Sequence, residues 1–252
     1  MAFSPDGRRL ALGGDWGPLR IFDTGSGNQR QVLRPPGASA ETIVRSVAWS
    51  PDGEMLAMSL GPVSGVAGAS RKDRDTCLSD LAWSLTPLPG APYTSRDWLD
   101  IYLPDLRSGR WRRWAADRES AGAITFAPDG KTLASLGEDG FIKLWTVATG
   151  KQRLRIRGTG GAAGKRHLRA GETGHEACCV AFSPDGKLLA SGQEDGSVRF
   201  WDPATGKEVG RLLGHRWRVL SIAFSGDGKK LISGSDDGTA LIWDVSRWIG
   251  EK

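Results

Sequence analysis

One phrase recurs five times along this chain: an aromatic, a small residue, Pro or Gly, then Asp-Gly and a second apolar run. It reads AFSPDG at 2–7, AWSPDG at 48–53, TFAPDG at 125–130, AFSPDG at 181–186 and AFSGDG at 223–228. Repetition on this scale restricts the chain to an array of like supersecondary units. The copy at 175–206 shows the unit most plainly. Cys179, Ala181 and Ser183 alternate with Val180 and Phe182, the two-residue period of a strand. Pro184-Asp185-Gly186 follows. Proline pre-sets φ for a tight turn, and glycine accepts the left-handed position after it. A second strand at 188–191, a turn at Glu194-Asp195-Gly196, a third strand at 197–201 and a fourth run holding Val209 and Leu212 complete the unit. Four antiparallel strands joined by short turns are expected.

The third and fifth copies carry EDGFIKLWTVATG at 138–150 and DDGTALIWDV at 236–245, and Gly174-His175 and Gly214-His215 precede the fourth and fifth copies. These residues resemble the WD-repeat family, in its bacterial form, whose units end in Trp-Asp and begin near Gly-His. The resemblance covers nearly the whole chain. It implies an all-β fold, a β-propeller of about five four-stranded antiparallel blades. It says less about function, because sites are grafted onto folds.

The repeat aromatics Phe3, Trp49, Phe126, Phe182 and Phe224 are spaced 46, 77, 56 and 42 residues apart. A blade of this kind needs ~40 residues, so the second and third intervals hold roughly 35 and 15 extra. One domain over 1–252 is expected, with repeats near 1–34, 43–115, 121–157, 175–213 and 215–250 and insertions at 61–97 and 158–174. Strands in a blade alternate in direction. Second-to-third and fourth-to-first connections therefore leave at one end, and both insertions are expected on one face.

Composition excludes several classes. No apolar run approaches the ~18 residues of a membrane helix. Three cysteines, two of them adjacent at Cys178 and Cys179, suit reduced thiols and a cytoplasmic location. No metal-ligand spacing surrounds them, so neither metal nor cofactor is expected. GTGGAAGK at 158–165 imitates a phosphate loop, but Thr159 replaces its first glycine and Arg166 replaces the Ser or Thr that would hold magnesium.

His175, Ser191, Asp195 and Trp201 recur as His215, Ser233, Asp237 and Trp243. A His-Ser-Asp set invites a hydrolase reading. The family resemblance implies instead a buried hydrogen-bond network bracing each blade, and a catalytic triad has no reason to occur twice. The third blade keeps Ser135, Asp139 and Trp145 without an upstream His. Its network is expected to be incomplete.

The chain carries a formal charge of +5, and Arg153, Arg155 and Arg157 fall at alternate positions of one strand, on one face. Edge protection and an acidic partner such as nucleic acid both fit. The expected function is a non-enzymatic scaffold for another protein. Candidate contacts are Arg71, Lys72, Trp83 and Tyr93 in the first insertion and Lys165 and Arg166 in the second. Glu176, Arg216, Trp217 and Arg218, just past the Gly-His marks, join them. Trp and Arg dominate interface hot spots, although an inward Trp217 between two solvated arginines fits equally well. The rival readings are a nucleic-acid-binding module and an enzyme on a propeller scaffold.

Three departures stand out. Pro104 occupies the repeat Trp position of blade two and cannot donate to a ladder, so that third strand should be distorted. Met1 stands where the family has Val, and the tail reaches Lys252 soon after a third strand. By the resemblance, seven blades are usual and one end of the chain completes the blade begun by the other. A piece of a longer protein, with a ring either closed under strain or left open, is therefore expected.

Overall fold

The computed structural model describes residues 1–14, 18–36, 43–61, 100–115, 121–137, 140–158 and 177–248. Their strands form five antiparallel sheets, each a meander in chain order. Blade one holds β1 (Ala2–Phe3), β2 (Arg9–Leu12), β3 (Leu19–Asp23) and β4 (Gln29–Leu33). Blade two holds β5 (Ile43–Trp49), β6 (Leu56–Gly61), β7 (Asp100–Pro104) and β8 (Trp111–Ala115). Blade three holds β9 (Ala121–Phe126), β10 (Thr132–Gly137), β11 (Phe141–Thr146) and β12 (Lys151–Arg157). Blade four holds β13 (Ala177–Phe182), β14 (Leu189–Gln193), β15 (Ser197–Trp201) and β16 (Glu208–Leu213). Blade five has three strands among the described residues, β17 (Val219–Phe224), β18 (Lys230–Ser235) and β19 (Ala240–Asp244), followed by a single 3-10 turn at Ser246–Trp248. The fold is the expected five-bladed β-propeller.

The recurring phrase forms the first turn of every blade. Gly7, Gly53, Gly130, Gly186 and Gly228 all take positive φ, between 65° and 73°. Each N–H closes the turn on the carbonyl three residues back at 2.8–2.9 Å. The serine and aspartate of the phrase lock it. Ser4, Ser50, Ser183 and Ser225 donate to Asp6, Asp52, Asp185 and Asp227 at 2.5–2.6 Å, and the aspartates accept the N–H two residues on. Blade three has Ala127 instead, and Asp129 accepts two backbone N–H groups, from Lys131 and Thr132.

Blades stack by one rule. The leading face of a blade, from alternate positions of its second and third strands, packs on the trailing face of the next. Ala134, Ile142 and Leu144 of blade three lie in one cluster with Val180, Leu189 and Trp201 of blade four. Ala190, Val198 and Phe200 of blade four lie with Val219, Leu231 and Trp243 of blade five. The same positions join blades one and two through Ala11, Leu19 and Ile21, and blades two and three through Ala57, Ile101 and Leu103. After blade five the rule stops. Ile232, Ala240 and Ile242 occupy the positions of Ala190, Val198 and Phe200, yet Ile232 is 46 % exposed and Ile242 71 %. The trailing face of blade one is open too, with Phe3 61 % exposed.

Pro104 acts as expected. Among the described residues β7 pairs with β6 only at Met58↔Tyr102 and Ser59↔Ile101, whereas β11 pairs with β10 from Thr132↔Thr146 to Leu136↔Ile142. The other side of β7 is intact through Pro104↔Trp111. That is the asymmetry a missing N–H produces.

Two matched substitutions test the stacking rule on dilute protein. Phe200→Ala is expected to lower unfolding stability by about 3–5 kcal/mol. Ile242→Ala, at the same position one blade later, is expected to change it by no more than about 0.5 kcal/mol. Urea unfolding measures both, and equal losses would contradict an uncovered blade five.

Candidate functional site

The most complete polar network among the described residues lies in blade five, where the β16–β17 connection crosses the β18–β19 turn. Gly214 admits it. A Cβ there would sit 2.6 Å from the Trp243 ring. The His215 side chain that follows is fully buried. Its Nε2 lies 2.7 Å from Ser233 Oγ, and its Nδ1 lies 3.2 Å from Asp237 Oδ2 and 3.0 Å from Thr239 Oγ1. Trp243 Nε1 donates to the same Ser233 oxygen at 2.8 Å, and the two rings meet edge to face at 6.2 Å. The Asp237 carboxylate calls for a proton on Nδ1, and Nε2 faces the Ser233 hydroxyl, whose oxygen accepts from the indole. Every polar atom of the relay then has a partner, as burial demands.

Ser233, His215 and Asp237 stand in the order of a hydrolytic triad. Yet Ser233 is fully buried, and the Trp243 N–H takes the lone pair that an attack would use. The geometry is that of a brace. Asp237 is its anchor. The Thr239 hydroxyl, the Arg216 N–H at 2.8 Å and the His215 ring hold its carboxyl well below the usual carboxylate range.

Blade four keeps part of the pattern. Trp201 Nε1 donates to Ser191 Oγ at 2.8 Å, and Gln193 Nε2 lies 2.6 Å from the same oxygen. Asp195 accepts from Ser197 and, at 3.0 Å, from Arg199. His175 lies outside the described residues. In blade three Trp145 donates to Ser135 at 2.8 Å, and Asp139 lies outside. Thr239 and Ser197, both central to their aspartates, were missed from sequence. The signal was present as the hydroxyl residue after each Asp-Gly.

The residues beyond His215 form a pinned, outward loop. The Arg216 N–H is held by Asp237. The Trp217 carbonyl accepts from Ser235 Oγ at 3.0 Å. Arg218 pairs with Asp236. Beneath them a Cβ on Gly196 would sit 2.4 Å from the His215 carbonyl, so the β14–β15 turn supports the loop closely. The Trp217 side chain is 63 % exposed, which overturns the inward alternative. Arg71, Lys72, Trp83, Tyr93, Lys165, Arg166 and Glu176 lie outside the described residues. Direct bonds show which connections share an end. The Val44 N–H reaches the Gly14 carbonyl at 3.4 Å, and the Gly158 N–H reaches the Gly140 carbonyl at 2.8 Å. Fourth-to-first and second-to-third connections therefore meet.

The basic stripe is already engaged. Arg153, Arg155 and Arg157 are exposed while Ile156 points inward. Arg153 donates to the Pro203 carbonyl at 3.0 Å, and Arg155 lies 3.7 Å over the Phe141 ring. Among the described residues no group of three His, Cys, Asp or Glu is placed to hold a metal ion.

His215→Ala is expected to cost about 1–3 kcal/mol, because Ser233 and Asp237 lose a buried partner, with binding unchanged once folding is accounted for. A depressed carboxylate contributes stability above its unfolded pKa and loses it as pH falls through the folded one. The stability gap between the parent chain and Asp237→Asn is therefore expected to be full at neutral pH and to shrink below about pH 4. Denaturant titrations at several pH values read it, and a gap independent of pH would contradict the anchor.

Comparison with known proteins agrees with this geometry. The family described as "WD domain, G-beta repeat" matches residues 118–146, 168–202 and 206–244. The chain is similar to Periodic tryptophan protein 2 of Arabidopsis thaliana, 35% identical over 224 residues, which is 86% of this chain and 23% of that protein. An uncharacterized WD repeat-containing protein of Nostoc is 64% identical over 36 residues, 14% of this chain and 2% of that protein. Nuclear distribution protein PAC1 of Ajellomyces capsulatus is 37% identical over 101 residues, 39% of this chain and 19% of that protein. The chain thus spans less than a quarter of the length of each. It is a WD-repeat protein, and the matched repeats are the sheets seen here as blades three, four and five.

Proposed function

We propose that this chain is a non-enzymatic scaffold acting in the cytoplasm, and that it grips another protein at the propeller end that carries the β16–β17 loop and both insertions. WD-repeat propellers generally bind other proteins, and one observation carries the finer reading. Trp217 is an exposed indole on a loop whose backbone is pinned on both sides. A rigid aromatic flanked by arginines is the usual composition of an energetic hot spot. Pinning removes most of the ordering cost that association would otherwise carry. Arg216 adds charge beside it, Arg218 flanks it while paired with Asp236, and the insertions, with Arg71, Lys72, Trp83, Tyr93, Lys165 and Arg166, extend the candidate surface. Glu176 flanks the same connection in blade four.

The competing readings have less support. Nucleic acid would need the arginines of β12, and two of these already serve the blade. An enzyme would need an accessible nucleophile, and Ser233 is enclosed. No described helix is long and apolar enough to cross a membrane.

Trp217→Ala is expected to weaken capture of the partner at least tenfold, the loss of about 1.4 kcal/mol or more that a hot-spot residue carries, while leaving the melting temperature unchanged. Deleting residues 161–171 should spare the fold, because loop length costs little, and also weaken capture. Affinity measured with a partner recovered on the intact chain decides it. Full affinity in both variants would overturn the reading. Binding to DNA or RNA that falls steeply with salt would favour the nucleic-acid alternative.

A further inference from the structure

The polar networks of blades four and five draw their parts from different places. In blade five the β18–β19 hairpin supplies Ser233, Asp237, Thr239 and Trp243. The β16–β17 connection supplies His215, which links Ser233 to Asp237. In blade four Ser191, Gln193, Asp195, Ser197, Arg199 and Trp201 are alternate residues of one hairpin, β14–β15. Residues two apart on a strand share a face, and Ser191 pairs directly with Arg199 across the hairpin. All of the six except Asp195 are buried.

Two of these residues make the bonds that the histidine makes in blade five. The Gln193 amide lies 2.6 Å from Ser191 Oγ, as His215 Nε2 lies 2.7 Å from Ser233 Oγ. An amide, like an imidazole, offers both a donor and an acceptor. The aspartates match as well. In each blade Oδ1 accepts the backbone N–H and the hydroxyl of the residue two positions on. Oδ2 faces His215 Nδ1 at 3.2 Å in blade five and accepts from Arg199 at 3.0 Å in blade four.

The two changes occur together. In blade five the positions of Gln193 and Arg199 hold Ser235 and Leu241. Leucine cannot donate to a carboxylate, and Ser235 is spent on the Trp217 carbonyl. Blade three has no histidine ahead of it in the sequence. It has Lys143 at the Arg199 position, opposite Ser135, and that side chain is buried and engaged.

We propose that blade four closes its brace within the β14–β15 hairpin, with Gln193 and Arg199 in the two places of the histidine, and that His175 is not a member of it. Such a brace makes no demand on the β12–β13 connection, where the insertion at 158–174 lies. A histidine brace would require the last residues of that connection to be held against the hairpin. With the hairpin self-sufficient, the insertion can change or engage a partner without loosening the blade that follows it. The assignment concerns the interior of blade four and does not depend on partner capture by the Trp217 loop.

Exchange of the indole N–H groups of Trp201 and Trp243, followed by NMR, reads the two braces separately, each against the other. Gln193→Ala is expected to speed exchange at Trp201 at least about fivefold, the effect of removing one buried partner, and to leave Trp243 unchanged. His215→Ala should do the reverse. His175→Ala should leave both rates within about twofold of the parent. Arg199→Met keeps an apolar stem without the guanidinium. It is expected to lower the folding constant in urea by about fivefold or more. If Gln193→Ala does not fold, Gln193→Asn withdraws the amide by one methylene and takes its place. Faster exchange at Trp201 in His175→Ala overturns the proposal. So does an unchanged Trp201 rate in the Gln193 variant, or an unchanged folding constant in Arg199→Met.

Discussion

The packing of each blade's leading face on the trailing face of its successor is the constraint from which the rest follows. Sheets stack face to face at roughly 10 Å, so a small residue must stand at the centre of one face where a large one stands on the other. Ala11, Ala57, Ala134 and Ala190 are those small residues, and all four are covered. The aromatic of each following blade fills the space. Burial of an indole then sets a second requirement, because its N–H needs an acceptor. Ser135, Ser191 and Ser233 supply it at 2.8 Å in blades three, four and five. The tryptophan that gives the repeat its character is thus a hydrophobic wedge first, and its serine bond is the condition for burying it.

An array held by nearest-neighbour contacts is uneven in stability, since terminal units have one interface where inner units have two. Blade five has three strands among the described residues. It also holds the fullest network, from Trp243 through Ser233 and His215 to Asp237 and Thr239. The turn after β19 adds Trp248, stacked 4.7 Å from Phe200 of blade four, and a Cβ on Gly210 would meet that indole at 2.2 Å. Polar bracing inside the blade and an aromatic clasp to its neighbour offset what the missing outer junction would have contributed.

Local features were legible in the sequence because local chemistry causes them. The Pro-Asp-Gly turns needed positive φ at glycine, and all five have it. The short β6–β7 ladder followed from Pro104. Arg153, Arg155 and Arg157 faced outward because strand alternation is geometric. Features set by which blade lies beside which were not legible. Trp217 could have faced either way, and its loop is fixed by contacts with Ser235, Asp236 and Asp237 of the neighbouring turn. Ile232 and Ile242 are exposed, because burial at their positions depends on a neighbour rather than on the strand. Trp248 carried no signal beyond being aromatic.

The two ends of the propeller differ in what chemistry they have left to offer. At the end bearing the Asp-Gly phrase, each aspartate already accepts from its own turn. Ser4, Ser50 and Ser225 hold Asp6, Asp52 and Asp227 below the usual carboxylate range, and the following N–H adds to the effect. The serine hydroxyls are used in the same contacts and again by the strand N–H beyond. These turns also touch one another, with the Arg9 guanidinium on the Gly53 carbonyl at 2.8 Å. A surface whose polar groups are satisfied internally has little with which to recognise a partner. At the opposite end the Arg216 N–H and the Trp217 carbonyl of the β16–β17 loop are both hydrogen-bonded, so the exposed Trp217 side chain is carried on a fixed backbone. Rigid support beneath an uncommitted side chain is what recognition requires, and this asymmetry supports placing the binding surface at that end.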